Sequence, residues 1–254
     1  MDRLSNKRCL IVGGTGGIGQ AAARRFVEEG ARVVVAGLEA PETASAAAFV
    51  PCDATDPAQV SQLFEEARRL LGGLDVLYHV AGRSGRRFGD GPLHECTDAG
   101  WQATLDANLK STFLTNRAAV HHYLSEQQPG VILNMASVLA LAPSPHFFDT
   151  CAYTAAKGGV IAMSRLAAAS YAAAGIRVNV LAPGLTDTPM SARALQDEQI
   201  RAFLRTKQPL AAGAVRSDDC AEAAVFLCSD AAHLLTGVVL PIDGGWCVCE
   251  GQYE

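Results

Sequence analysis

No apolar run in this chain approaches the roughly 18 uninterrupted residues that a membrane span needs. The opening Met1 to Arg8 lacks a signal peptide's long apolar stretch, and the run Cys9 to Val12 ends at glycine. Nor is there an excess of positive charge: Lys and Arg total 21 against 26 Asp and Glu, a formal net charge of -5. Arginine pairs occur only at Arg24-Arg25, Arg68-Arg69 and Arg86-Arg87, so no nucleic-acid partner is expected. The eight cysteines include no Cys-x-x-Cys, and Cys247-x-Cys249 is too close for a comfortable bridge or a zinc knuckle. Reduced, mostly buried thiols in a cytoplasmic protein are expected. His121-His122 stand in a helical stretch with no cysteine or carboxylate pattern, and no metal site is expected. With no repeat, low-complexity tract or Pro-rich linker, the 254 residues read as one domain.

What is present is a 49% hydrophobic chain, which excludes a mainly disordered one, in which strand and helix patterns alternate. Strands are predicted at Arg8 to Val12, Arg32 to Ala36, Phe49 to Cys52, Asp75 to Val80, Val131 to Met135, Ile176 to Leu181 and Val238 to Ile242. Between them fall helices at Gly17 to Glu29 and Asp56 to Leu71, with Asp56 as cap and Pro57 at the first helical position. Further helices are predicted at Asp98 to Glu126 (capped by Thr97), Ala152 to Ala174, and Ser217 to Cys228 with Ser217 as cap. A short helix is assigned to Pro41 to Ala47. The pattern is that of an α/β, Rossmann-type doubly wound parallel sheet.

Between the first strand and helix lies Val12-Gly13-Gly14-Thr15-Gly16-Gly17-Ile18-Gly19. Without Cβ atoms the chain can turn sharply and approach a pyrophosphate, while the helix N-terminus offers free N–H groups. Gln20 stands where a Walker loop needs Lys, which excludes that motif in its usual form.

Tyr153-Thr154-Ala155-Ala156-Lys157 puts a phenol and an ammonium at i and i+4 on one helix face. The cation should favour phenolate and lower the Tyr153 pKa, making it usable as an acid or base. Ser137, after the fifth strand, can hydrogen-bond a carbonyl oxygen.

With these residues, Asp53, Ala81-Gly82, Asn108, Pro183-Gly184, Thr188 and Asp243-Gly244-Gly245, the chain resembles the short-chain dehydrogenase/reductase family over essentially its whole length. The resemblance implies a catalytic set of Asn108, Ser137, Tyr153 and Lys157. Tyr153 would exchange a proton with the substrate oxygen, Ser137 would hold that oxygen, and Lys157 would bind the nicotinamide ribose. Asn108 would place Lys157 through a water-linked relay, or simply satisfy a helix carbonyl. The implied cofactor site comprises Gly13, Thr15, Gly16, Gly17, Ile18 and Gly19; Leu38 and Glu39; Asp53 and Ala54; Ala81 and Gly82; Tyr153 and Lys157; and Pro183, Gly184, Thr186 and Thr188. Asp53 would meet the adenine or cap its own loop. A homotetramer or homodimer is implied as well.

Departures from the family pattern are Val12 for its usual Thr and His79-Val80 for its usual Asn-Asn, where His79 reads as support for a turn. The stretch before Asp53 is short, so a truncated second helix is expected. The interval from Ser137 to Tyr153 is long and carries Pro143 to Phe148, which should line the substrate mouth. Arg86, His146, Phe147 and Phe148 are the candidate substrate contacts.

The implied function is interconversion of a secondary alcohol and a ketone by hydride transfer. The alternatives are a 3-oxoacyl-thioester (acyl-carrier-protein) reductase using NADPH, and a non-catalytic nucleotide-binding sensor or scaffold. NAD is expected over NADP, because strand two ends Ala36-Gly37-Leu38-Glu39 without a cation for a 2′-phosphate.

Overall fold

Short β-branched and apolar runs form seven strands: β1 Arg8–Val12, β2 Arg32–Gly37, β3 Ala48–Pro51, β4 Val76–His79, β5 Gly130–Met135, β6 Ile176–Pro183 and β7 Val239–Ile242. They pair in one parallel sheet of order β3-β2-β1-β4-β5-β6-β7. The computed structural model describes residues 2–41 and 48–253. The helix expected over Pro41 to Ala47, and with it the truncated second helix, falls from residue 42 onward outside the described residues.

The helices are α1 Gly17–Glu28, α2 Pro57–Leu71, α3 Asp98–Leu105, α4 Ser111–Ser125, α5 Pro145–Phe148, α6 Cys151–Tyr171, α7 Ala192–Gln196, α8 Glu198–Lys207 and α9 Ser217–Cys228. Side chains alternate across the sheet with period two. Leu10, Val12, Leu77, Ile132 and Val178 pack with α2, α4 and α6 through Leu63, Phe64, Leu114 and Ala168. Cys9, Ile11, Tyr78 and Leu133 face the opposite layer, where Phe26 of α1 and Val225 of α9 close the core. Helices on both faces bury every central strand, hence their near-continuous apolar sequence. Strand order reverses between β1 and β4, which opens a crevice at the carboxyl ends of the strands.

Three expectations need correction. The single helix expected from Asp98 to Glu126 is divided by a π turn at Asp106–Lys110, which widens the backbone spiral around Asn108. Ser217 is the first residue of α9 rather than its cap, and its hydroxyl donates to the Asp187 carbonyl at 3.1 Å. The caps at Asp56 and Thr97 are where local chemistry puts them, accepting from Ala58 N and Gly100 N. All eight cysteines are free, and four of them (Cys9, Cys52, Cys220 and Cys228) are buried, fewer than expected. Among the described residues no helix is long and apolar enough to cross a membrane.

Candidate active site

The glycine turn is a cradle that side chains would fill. Gly13 adopts φ +84°, and a Cβ there would meet the Ala81 nitrogen at 2.5 Å, just beyond the ends of β1 and β4. At Gly19 a Cβ would lie 2.0 Å from the Gly13 carbonyl oxygen, and at Gly17 it would strike Thr188 Cγ2 at 2.7 Å. Gly16 is open, its nearest contact being 3.9 Å away, and no side chain caps the N-terminus of α1. Backbone packed this closely, with an uncapped helix end aimed into the crevice, fits a dinucleotide pyrophosphate. Around the turn, Thr15 lies against Gly37, Ile18 packs on the core, and Leu38 and Glu39 are exposed at the end of β2.

Asp53 caps its own loop, its Oδ1 accepting from Thr55 N at 2.9 Å and from the Thr55 hydroxyl at 2.8 Å. Ala54 beside it is buried. On the far side, the loop after β6 brings Pro183, Gly184 and Thr188 toward the turn, while the Thr186 hydroxyl donates to the Gly184 carbonyl at 3.1 Å. The buried Gln208, absent from the sequence reading, fixes this loop. Its Oε1 accepts from Leu185 N at 2.7 Å, and its amide donates to Gly213 O at 2.6 Å.

Asn108, fully buried, donates to the Arg83 and Thr104 carbonyls at 2.9 Å each and accepts from Arg83 N at 3.2 Å. It therefore locks the strand-four loop to the π turn. His79 is also fully buried, with its ring nitrogens on the hydroxyls of Thr115 at 2.9 Å and Ser111 at 3.4 Å. Burial, helped by the nearby Lys157 ammonium, holds its pKa down to about 3, so the ring is neutral and serves to tie β4 to α4.

The backbone sets Ser137 beyond β5 and Tyr153 and Lys157 one turn apart in α6. The Ser137 hydroxyl lies beside the Tyr153 phenol, close enough to favour its ionised form. Lys157 is 2% exposed, donates to the Met135 carbonyl at 2.9 Å, and holds its Nζ 5.6 Å from the Tyr153 ring centre. The expected lowering of the tyrosine pKa is overturned: burial pushes the phenol up to about 12, and the Ser137 hydroxyl offsets this only in part. Burial also lowers Lys157 to about 8, still protonated at neutral pH. Asp90, which the sequence reading missed, accepts from the backbone N–H groups of Ala152 and Tyr153 at 3.0 Å each, anchoring the start of α6. No local signal pairs residues 62 positions apart.

At the mouth, Arg86 donates to the Phe147 carbonyl at 3.1 Å and so ties the loop after β4 to α5. Phe147 and Phe148 are half-buried in a cluster with Phe203 and the buried Trp246. Exposed His146 meets the Phe147 ring edge-on and lies tilted against Tyr253.

A family model described as Enoyl-(Acyl carrier protein) reductase matches residues 13–247. The chain is 37% identical to 3beta-hydroxysteroid dehydrogenase 1 of Eggerthella lenta, covering 98% of this chain and 97% of that one. The chain belongs to the short-chain dehydrogenase/reductase family. Another relative within 509 significant matches is cis-4-hydroxycyclohexanecarboxylate dehydrogenase of Sinomonas cyclohexanicum, 36% identical over 96% of this chain and 98% of that one. Among solved structures, the Thermoplasma acidophilum aldohexose dehydrogenase superposes with a TM-score of 0.87 at 26% identity, covering 97% of this chain and 96% of that one. As a short-chain dehydrogenase/reductase, the chain is an oxidoreductase acting on CH–OH and carbonyl groups with a nicotinamide cofactor.

Proposed function

We propose that this chain oxidises a secondary alcohol on a saturated carbon ring, reversibly, with NAD, and that Ser137, Tyr153 and Lys157 carry the chemistry. The observation behind this reading is the Ser137–Tyr153 hydroxyl pair above a buried Lys157, beside a glycine cradle. Two relatives named for hydroxysteroid and hydroxycyclohexane substrates support the ring, and the aromatic wall at the mouth suits it.

A nicotinamide dinucleotide whose pyrophosphate is held at Gly13 to Gly19 would supply or accept the hydride. Ser137 holds the substrate oxygen, and Tyr153 moves a proton at that same atom. With its pKa near 12, Tyr153 is protonated at neutral pH and ready to donate to a ketone. Lys157 lies beneath, close enough to Gly82 for its ammonium to serve a ribose hydroxyl as well as the phenol. Asn108 and Asp90 position this machinery by fixing the β4 loop and the start of α6. Two or four copies would assemble through the faces of α4 and α6, where Phe113 and Leu166 are 44% and 69% exposed.

The description of the matching family model favours one second reading, an acyl-thioester reductase. Reduced-nicotinamide absorbance, followed over a panel of cyclic alcohols, cyclic ketones, 2-enoyl thioesters and 3-oxoacyl thioesters, separates the two. Turnover of cyclic ketones well above the thioesters is expected. Preference for thioesters would replace the reading, and turnover of none would remove it.

A further inference from the structure

We propose that Asp90, Cys96 and Cys151 form a binding site for a thiophilic divalent cation, zinc or cadmium in class, beside the start of α6. One carboxylate oxygen and two sulfurs lie within 4.8 Å of one another, and Cys96 Sγ is 3.9 Å from Asp90 Oδ1. Tetrahedral zinc, with bonds of about 2.3 Å to sulfur and about 2.0 Å to oxygen, sets sulfur and oxygen ligands about 3.5 Å apart and two sulfurs about 3.8 Å apart. The Cys96–Asp90 pair therefore stands about 0.4 Å beyond that spacing, and no pair more than about 1.3 Å beyond it.

The site is also oriented. Asp90 is 6% exposed, and its two oxygens are held by the N–H groups of Ala152 and Tyr153. A carboxylate has about four lone-pair directions, so two are left for a cation. The two sulfurs lie within 4.8 Å of each other, and Cys96 also points its sulfur at the Thr97 carbonyl at 3.7 Å. Both cysteines are half-exposed, which gives a cation a way in and leaves a fourth position to water. Two sulfurs and one oxygen suit zinc or cadmium, not magnesium or calcium, which take oxygen ligands. An ion bound there would share the carboxylate on which the Tyr153 backbone hangs, so its occupancy bears directly on the placement of that side chain.

The test uses the full chain, fully reduced and stripped of metal, titrated with Co2+ while the thiolate-to-cobalt charge-transfer band is read. Zn2+ is then added to displace the cobalt. One equivalent of Co2+ is expected, with the band lost in Cys96→Ser and in Cys151→Ser and kept in Cys247→Ser, the control for the other cysteine pair at 247 and 249. Absence of a band in the wild-type chain overturns the proposal. So does a band that survives Cys96→Ser, or one that disappears in Cys247→Ser. Thermal unfolding without metal checks each variant. If Cys151→Ser fails to fold, Cys96→Ser decides alone, because Cys96 lies in a loop outside the helix.

Discussion

A Cβ added at Gly82 would lie 2.6 Å from Asn108 Oδ1 and 3.2 Å from the Lys157 ammonium. The glycine is thus required by close approach, since it has no positive φ. Gly82→Ala must push Asn108 or Lys157 aside, and displacement on the order of 1 Å costs up to about 10²-fold in rate. Turnover is expected to fall at least tenfold (about 1.4 kcal/mol in the barrier). Steady-state kinetics with a turned-over alcohol checks it, and wild-type rates would mean that the site absorbs a methyl group freely.

Tyr153→Phe removes the hydroxyl proposed as proton donor and leaves the ring in place. A loss of about 10²-fold or more in turnover is expected, with cofactor affinity unchanged in a fluorescence titration of reduced nicotinamide. Lys157→Met should weaken both. In the wild type, ketone reduction should decline as pH rises through about 8, because Tyr153 stays protonated there while Lys157 loses its charge. A profile flat from pH 7 to 10 would contradict that assignment.

His79 makes stability depend on acid. Its folded pKa of about 3 lies below the ordinary 6.5, so between these values the unfolded chain binds a proton that the folded chain refuses. Stability then falls as pH falls across that window, by about 1.4 kcal/mol per pH unit from this group. Unfolding midpoints measured from pH 7 to 4 should drop less steeply in His79→Asn. Parallel slopes in the two proteins would show that His79 is protonated without cost.

Phe147 and Phe148 serve packing as well as the mouth. Sequence places them in a Pro-bracketed loop facing substrate, where truncation would change specificity with little loss of stability. Their rings instead contact Phe203 and Trp246 at centroid distances of 5.3 and 5.5 Å. Fully buried Phe→Ala costs about 3–5 kcal/mol, so the half-buried pair together should cost about 2–4 kcal/mol, with the ranking of substrates altered as well. Calorimetry beside a substrate panel tests both halves. An unchanged midpoint would return the rings to the role read from sequence.

The parts legible in sequence were those governed by local chemistry. Asp56-Pro57 opens α2 and Gly175 closes the turn after α6 because capping and positive φ need only neighbouring residues. The Tyr153–Lys157 spacing was readable because four residues make one turn. Asp90 was not, since its partners in α6 lie on the far side of the strand-five crossover. The π turn was hidden for a related reason: the side-chain amide of Asn108 satisfies backbone groups of the β4 loop, which only tertiary packing brings near. The direction of the Tyr153 shift failed because spacing reveals a cation one turn away but not the burial that governs the phenol.

Cofactor choice follows from the end of β2. A Cβ at Gly37 would meet the Thr15 hydroxyl at 2.5 Å, so no side chain projects there, and on the proposed reading the next two residues would face the adenosine ribose. Leu38 is 67% exposed and uncharged, and Glu39 is exposed and acidic. A 2′-phosphate would find no cation at either position and a carboxylate at the second, whereas a free 2′-hydroxyl can donate to that carboxylate. The ratio of kcat/KM should therefore favour NAD over NADP by about tenfold or more, equivalent to at least about 1.4 kcal/mol. Leu38→Arg supplies a guanidinium, and one charge-assisted hydrogen bond of about 1.5–3 kcal/mol should raise kcat/KM for NADP by about tenfold or more. Glu39→Gln should narrow the preference from the other side by removing the repulsion. A wild-type enzyme that prefers NADP tenfold would place the 2′-phosphate against cations outside the β2 terminus, and Leu38→Arg would then leave the ratio unmoved.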